Sequence, residues 1–104
     1  MTSKKKRKII YELLDKTMSE YMNKCITYSY NEYTKSSVMG KLSVLRFDNI
    51  PNNEELARKI NELMDNFRDK SKYEDTNEGL KNMFYDSGRI NMLCELYRRF
   101  SKKL

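Results

Sequence analysis

Apolar residues in this chain recur at helical spacing. Tyr11, Leu14, Met18, Tyr21, Cys25 and Tyr28 are separated by alternating steps of three and four positions. Such steps place all six on one stripe of an α-helix, whereas a strand would scatter them over both faces. Glu12–Lys16 and Glu20–Lys24 stand at i,i+4 in the favourable order on the other side of the same helix. The first helix is therefore expected over about residues 5–28.

The period returns twice more. Asn52 with Glu55 three positions later reads as a capping box. After it, Leu56, Ile60, Leu63 and Phe67 form an apolar stripe, with Glu54–Arg58 and Glu55–Lys59 pairs turned outward. A helix is expected over 53–68, followed by a polar connection at 69–75. Asp75 with Glu78 at the capping offset opens a last helix over 76–102. Its face begins with Leu80, Met83 and Phe84 and continues through Ile90, Leu93, Tyr97, Phe100 and Leu104. Gly88 lies inside that helix, where it costs about 1 kcal/mol relative to Ala. Asp86-Ser87-Gly88 is thus a kink, a break or a close packing contact.

Residues 29–35 lose the pattern and read as a connection, and the stretch after them is ambiguous. Val38, Leu42 and Leu45 fit a helical face behind a Ser36/Ser37 cap, while Val44 and Phe47 with Gly40 also suit a short strand. The ending favours a helix over 37–48. Asp48-Asn49 can adopt the left-handed turn that closes one, Ile50 can fold back on the last turn, and Pro51 prevents continuation. The expectation is a single all-α domain of three or four antiparallel helices. At 104 residues the chain has room for one modest core.

Charge is concentrated at the two ends. Residues 1–8 carry five cations (Lys4, Lys5, Lys6, Arg7, Lys8) and no acid, a basic arm preceding the helical domain of 9–104. Residues 98–104 carry four more (Arg98, Arg99, Lys102, Lys103), again without an acid. The net charge is +6, so the body between them holds 12 cations against 15 acids and is mildly acidic. Cations at a helix N-terminus oppose its dipole, so the first run contributes nothing to folding and is expected to meet a partner. At the C-terminal end the dipole favours the cations, and Glu95–Arg99 forms an i,i+4 pair.

The missing chemistry narrows the function. The chain has no histidine, which removes Ser–His and Cys–His nucleophile pairs and the usual zinc and iron ligands. Cys25 and Cys94 are too far apart for a zinc motif, and both fall on an apolar register, as small buried hydrophobes of a reducing compartment. No glycine-rich phosphate loop is present. Neither catalysis, a metal nor a cofactor is expected. A helix-turn-helix with Gly88 as its turn glycine would put bulky Phe84 where a small residue belongs, and Gly40 fits worse. Acids at Glu12 and Asp15 interrupt the N-terminal segment before any signal-peptide apolar stretch, and no run approaches the roughly 18 residues of a membrane span. A cytoplasmic location is expected.

Two functions of different classes remain. One is a small nucleic-acid-binding accessory protein, of DNA or RNA, with the terminal cations on phosphates and Tyr28, Tyr30 and Tyr33 available for stacking on bases. The heavy use of Lys, Asn, Tyr and Ile points to an A+T-rich genome, such as that of a phage, a virus or another mobile element. The other is an adaptor or inhibitor that meets a larger acidic protein through an apolar Tyr/Met helical face. On that reading Tyr11, Leu14, Met18 and Tyr21 could also join two copies as a homodimer. Topology supplies a condition on the first: four antiparallel helices bring both basic ends together, and three leave them apart.

Overall fold

A computed structural model describes residues 1–26, 31–47 and 49–102. Tyr28, Tyr30, Asp48, Lys103 and Leu104, together with the Lys24 and Cys25 side chains, lie outside the described residues. Among those described, four α-helices occur: α1 (Ser3–Ile26), α2 (Glu32–Ser43), α3 (Asn53–Arg68) and α4 (Asn77–Ser101), with a 3₁₀ turn at Lys70–Lys72. The all-α expectation is met in its four-helix form. No described helix is long and apolar enough to cross a membrane.

Each helix starts on a side-chain cap. In α1 the Thr2 hydroxyl accepts the Lys5 N–H at 3.3 Å. In α3 the Asn52 side chain accepts the Glu55 N–H at 2.9 Å, as the sequence motif requires. The cap of α4 is Thr76, which accepts the Gly79 N–H at 3.0 Å, and not Asp75 one residue earlier.

The second helix departs furthest from expectation. It starts at an Asn31 cap, where the side chain accepts the Thr34 N–H at 2.8 Å, rather than at Ser36/Ser37. Contacts from α4 secure this early first turn: Tyr33 stacks on Phe84 at 5.3 Å between ring centroids, and Glu32 pairs with Lys81 at 3.2 Å. It also ends at Ser43, well short of 48. Val44, Leu45, Phe47 and Ile50 belong to the α2–α3 connection and turn their side chains onto the core instead. That stretch is neither a strand nor the end of a helix.

α4 touches each of the other three helices and lies closest to α2. Glycine makes that approach possible. A Cβ on Gly40 would stand 2.0 Å from the Tyr85 carbonyl oxygen, and one on Gly88 2.0 Å from that of Ser37. Gly88 is therefore a close contact inside an unbroken helix. It cannot be the turn of a helix-turn-helix, and Gly40, inside α2, cannot be either.

The core gathers Ile10 and Leu13 of α1, Leu45 of the connection, Leu56 of α3, and Met92, Leu93, Leu96 and Phe100 of α4. Leu56, Leu93 and Leu96 are fully buried, each stabilising the fold by roughly 2 kcal/mol. The buried face of α1 is Ile10, Leu13 and Thr17, not the expected stripe. Tyr11 and Met18 are exposed, and Leu14 is half-buried at the margin. Two stripes with the same 3–4 period run side by side on α1, and the core took the one rich in aliphatic residues. Cys94, expected in the core, is exposed and free.

Candidate nucleic-acid interface

The first turns of α1 lie beside the last turns of α4, joined by the Glu12–Arg99 and Lys6–Phe100 contacts, and Lys6 also reaches the α2–α3 connection. Arg99 Nη2 meets Glu12 Oε2 at 2.9 Å. The Lys6 ammonium donates to the Pro51 carbonyl at 3.4 Å and sits 5.1 Å from the centre of the Phe100 ring. The positive dipole end of α1 is thereby set near the negative end of α4, which offsets part of the repulsion among the cations.

Between the two helix ends runs an open groove of about 350 Å³, lined by Met1, Lys5, Lys8, Ile9, Glu12, Arg99 and Lys102. Two cations come from each end of the chain, and among the described residues Glu12 is the single acid that lines the groove with them. Four antiparallel helices were expected to merge all nine terminal cations into one patch, and the groove gathers four of them. Its floor is partly apolar, through Met1 and Ile9.

The remaining described terminal cations go elsewhere. The run 4–8 is helical from Ser3, so its side chains fan around the helix axis. Lys4 is exposed, and Lys6 is half-buried against Phe100 and committed to Pro51. Arg7 turns to the opposite side, beside Tyr11 and Leu14. Arg98 is held by Glu95, with Nε donating to Oε2 at 3.2 Å, and this bond keeps the Glu95 carboxyl below its ordinary pKa. Glu95 was expected to pair with Arg99, and Glu12 with Lys16. The fold pairs Arg99 with Glu12 instead, because the interhelical contact places those two groups together.

Tyr33 is not part of this surface. Its ring is stacked on Phe84 and its hydroxyl donates to Asn77 at 3.4 Å. Phe84, on which the ring rests, lies about 22 Å from Arg99 along α4, at 1.5 Å per residue. Base stacking by Tyr33 in the groove is excluded by that distance.

The sequence reading missed a second cationic surface. A cleft of about 570 Å³ lies between residues 43–47, α3 and α4, with Arg46, Lys59 and Arg89 on its walls and Glu62 among them. Arg89 is already engaged, meeting Asp86 at 3.3 Å and lying over the Tyr85 ring. Asp86 also accepts the Tyr73 hydroxyl at 2.6 Å, and desolvation together with that bond raises the Tyr73 pKa. These cations are single residues scattered over three elements, so no run or spacing announced them. Among the described residues no group of three or more metal-ligating side chains lies close enough to hold an ion.

Comparison with protein-family models, with curated proteins and with solved structures finds no match to this chain.

Proposed function

We propose that the protein is a small non-enzymatic accessory protein that binds nucleic acid through phosphate contacts in the α1–α4 groove. The observation that carries this reading is the convergence of Lys5, Lys8, Arg99 and Lys102 on one groove from opposite ends of the chain. Those side chains are flexible point charges or forks matched to phosphate oxygens, and contacts to the phosphate backbone carry no sequence information. Binding is accordingly sequence-independent and salt-sensitive.

Fluorescence anisotropy with labelled duplex DNA, titrated over about 50 to 300 mM salt, tests it. With Arg99 paired to Glu12, the three free cations make log K fall against log[salt] with a slope of about −2.7. Replacing Lys5, Lys8 and Lys102 by alanine removes about 2.7 from that slope. Lys6→Met leaves the slope unchanged, because its ammonium is turned inward. Absence of binding at the lowest salt overturns the reading.

One observation favours a second reading, a protein partner. The outer face of α1 exposes Tyr11, Met18 and Met22 together, and phosphate binding makes no use of them.

A further inference from the structure

α2 and α3 both pack against α4, yet they make no backbone approach to each other. The space left between them, roofed by residues 43–47, is a cleft of about 570 Å³. Val44, Leu63 and the buried Leu93 line it with apolar surface, and Phe47 and Tyr85 add aromatic rings. A concavity of this size that combines apolar walls with a few convergent polar groups has the make-up of a small-molecule site.

The charges in the cleft suit an anion. Arg89 is held in place: the Tyr73 hydroxyl donates to Asp86 Oδ2 at 2.6 Å, and Arg89 Nη1 donates to Asp86 Oδ1 at 3.3 Å. That bond takes one of the five guanidinium donors and leaves the rest for a ligand. Arg46 and Lys59 are exposed and form no ion pair among the described residues. Three cations from three elements thus line the cleft against one acid, Glu62. Their mutual repulsion costs stability, and a bound anion would offset it.

Two features narrow the class of anion. A carboxylate brings one charge and two oxygens in a plane. A phosphate monoester brings nearly two charges and three terminal oxygens, enough for two guanidinium forks and an ammonium at once. Glu62 sets the second condition. A carboxylate only accepts hydrogen bonds, so the organic part of the ligand must bring donors. Asn66, fixed by a 2.8 Å bond from Lys72 Nζ to its Oδ1, lines the same cleft. An acyl chain has nothing to offer these groups. A nucleoside has a flat ring for the apolar walls and hydroxyl and amino groups for Glu62 and Asn66.

We propose that the cleft between α2, α3 and α4 binds a nucleoside monophosphate, with the phosphate on Arg46, Lys59 and Arg89 and the nucleoside against Phe47 and Leu63, donating to Glu62. The cleft shares no lining residue with the α1–α4 groove, so the site does not depend on phosphate binding there. The same phosphate monoester occurs in a free mononucleotide and at the phosphorylated end of a nucleic-acid strand.

Amide shifts of the isotope-labelled full chain, titrated with adenosine monophosphate, test it. Saturable shifts are expected at Arg46, Lys59, Leu63, Asn66 and Arg89, with only weak, unsaturated ones at Lys5, Lys8 and Lys102. Adenosine and inorganic phosphate should each bind about tenfold more weakly, since each keeps only part of the contacts. Arg46→Ala and Lys59→Ala, both at exposed positions, should each weaken the mononucleotide about three- to tenfold with unchanged circular dichroism. A cleft that shows no saturable shift at millimolar ligand overturns the site, and so do variants that bind like the wild type. Saturation at Lys5, Lys8 and Lys102 alone overturns it too and assigns the phosphate to the groove. Inorganic phosphate that binds as tightly as the mononucleotide overturns the nucleoside part. A short single strand with and without a terminal phosphate then names the source. Cleft shifts that require the strand's terminal phosphate assign the site to strand ends, and cleft shifts from the mononucleotide alone assign it to free nucleotides.

Discussion

Gly40 and Gly88 show what a single missing methyl group does in this protein. Each stands where a Cβ would collide with a carbonyl oxygen of the facing helix, and backbone cannot yield as a side-chain tip can. Helix propensity alone would make Gly88→Ala stabilising by about 1 kcal/mol. Overpacking between two backbones opposes it and should win, leaving the variant less stable by about 1–3 kcal/mol. Urea denaturation of Gly88→Ala reads the sign directly, and a more stable variant would show that α2 and α4 do not approach this closely. Lys6 teaches a related point. Its charge belongs to the basic run by sequence, yet its ammonium is held by the Pro51 carbonyl and the Phe100 ring, which makes it a tether of α1.

At the scale of elements, the docking of α1 on α4 creates the groove and also limits it. The Glu12–Arg99 ion pair helps to hold the two ends together, but it places a carboxylate among the cations and occupies one of them. Both groups are partly exposed, so Glu12→Gln should cost less than about 1 kcal/mol of stability. It should raise affinity for duplex DNA several-fold at low salt and steepen the salt slope by up to about 0.9, as Arg99 becomes free for phosphate. Anisotropy on this variant beside the wild type checks the claim, and a weaker binder would show that Glu12 serves the bound state. α2 illustrates the opposite dependence. Its first turn forms five residues before any serine cap because Lys81 and Phe84 of α4 hold Glu32 and Tyr33.

For the whole molecule, the consequence of the topology is a segregated charge distribution. An acidic body carries a cationic end, where Lys5, Lys8, Arg99 and Lys102 share one groove with Glu12. Those cations repel one another, and the exposed ion pairs elsewhere contribute little. Salt should therefore stabilise the fold. Raising it from about 50 to about 500 mM shortens the screening length from roughly 14 to 4 Å. A relief of about 0.5 kcal/mol would raise Tm by about 2–4 °C. Replacing Lys5 and Lys8 by glutamine should raise Tm at low salt and remove most of that dependence. Thermal melts followed by circular dichroism decide it, and a Tm that falls with salt would mean that ion pairs outweigh the repulsion.

Several features of this protein are local and were readable in the sequence. The 3–4 steps, the Asn52–Glu55 capping motif and the apolar positions of α3 and α4 specify helices through contacts between near neighbours in the chain. The charge at the two ends is likewise a matter of sequence alone. Three other features depended on residues distant in sequence. Which of two adjacent stripes on α1 enters the core was settled by the aliphatic surface that α4 and Leu45 offer to Ile10 and Leu13. Where α2 begins was settled by Lys81 and Phe84. Whether the basic ends form one groove was settled by the antiparallel docking that brings Glu12 to Arg99. Periodicity states that a helix has a face, but which face is buried, and beside what, is decided only when the helices meet.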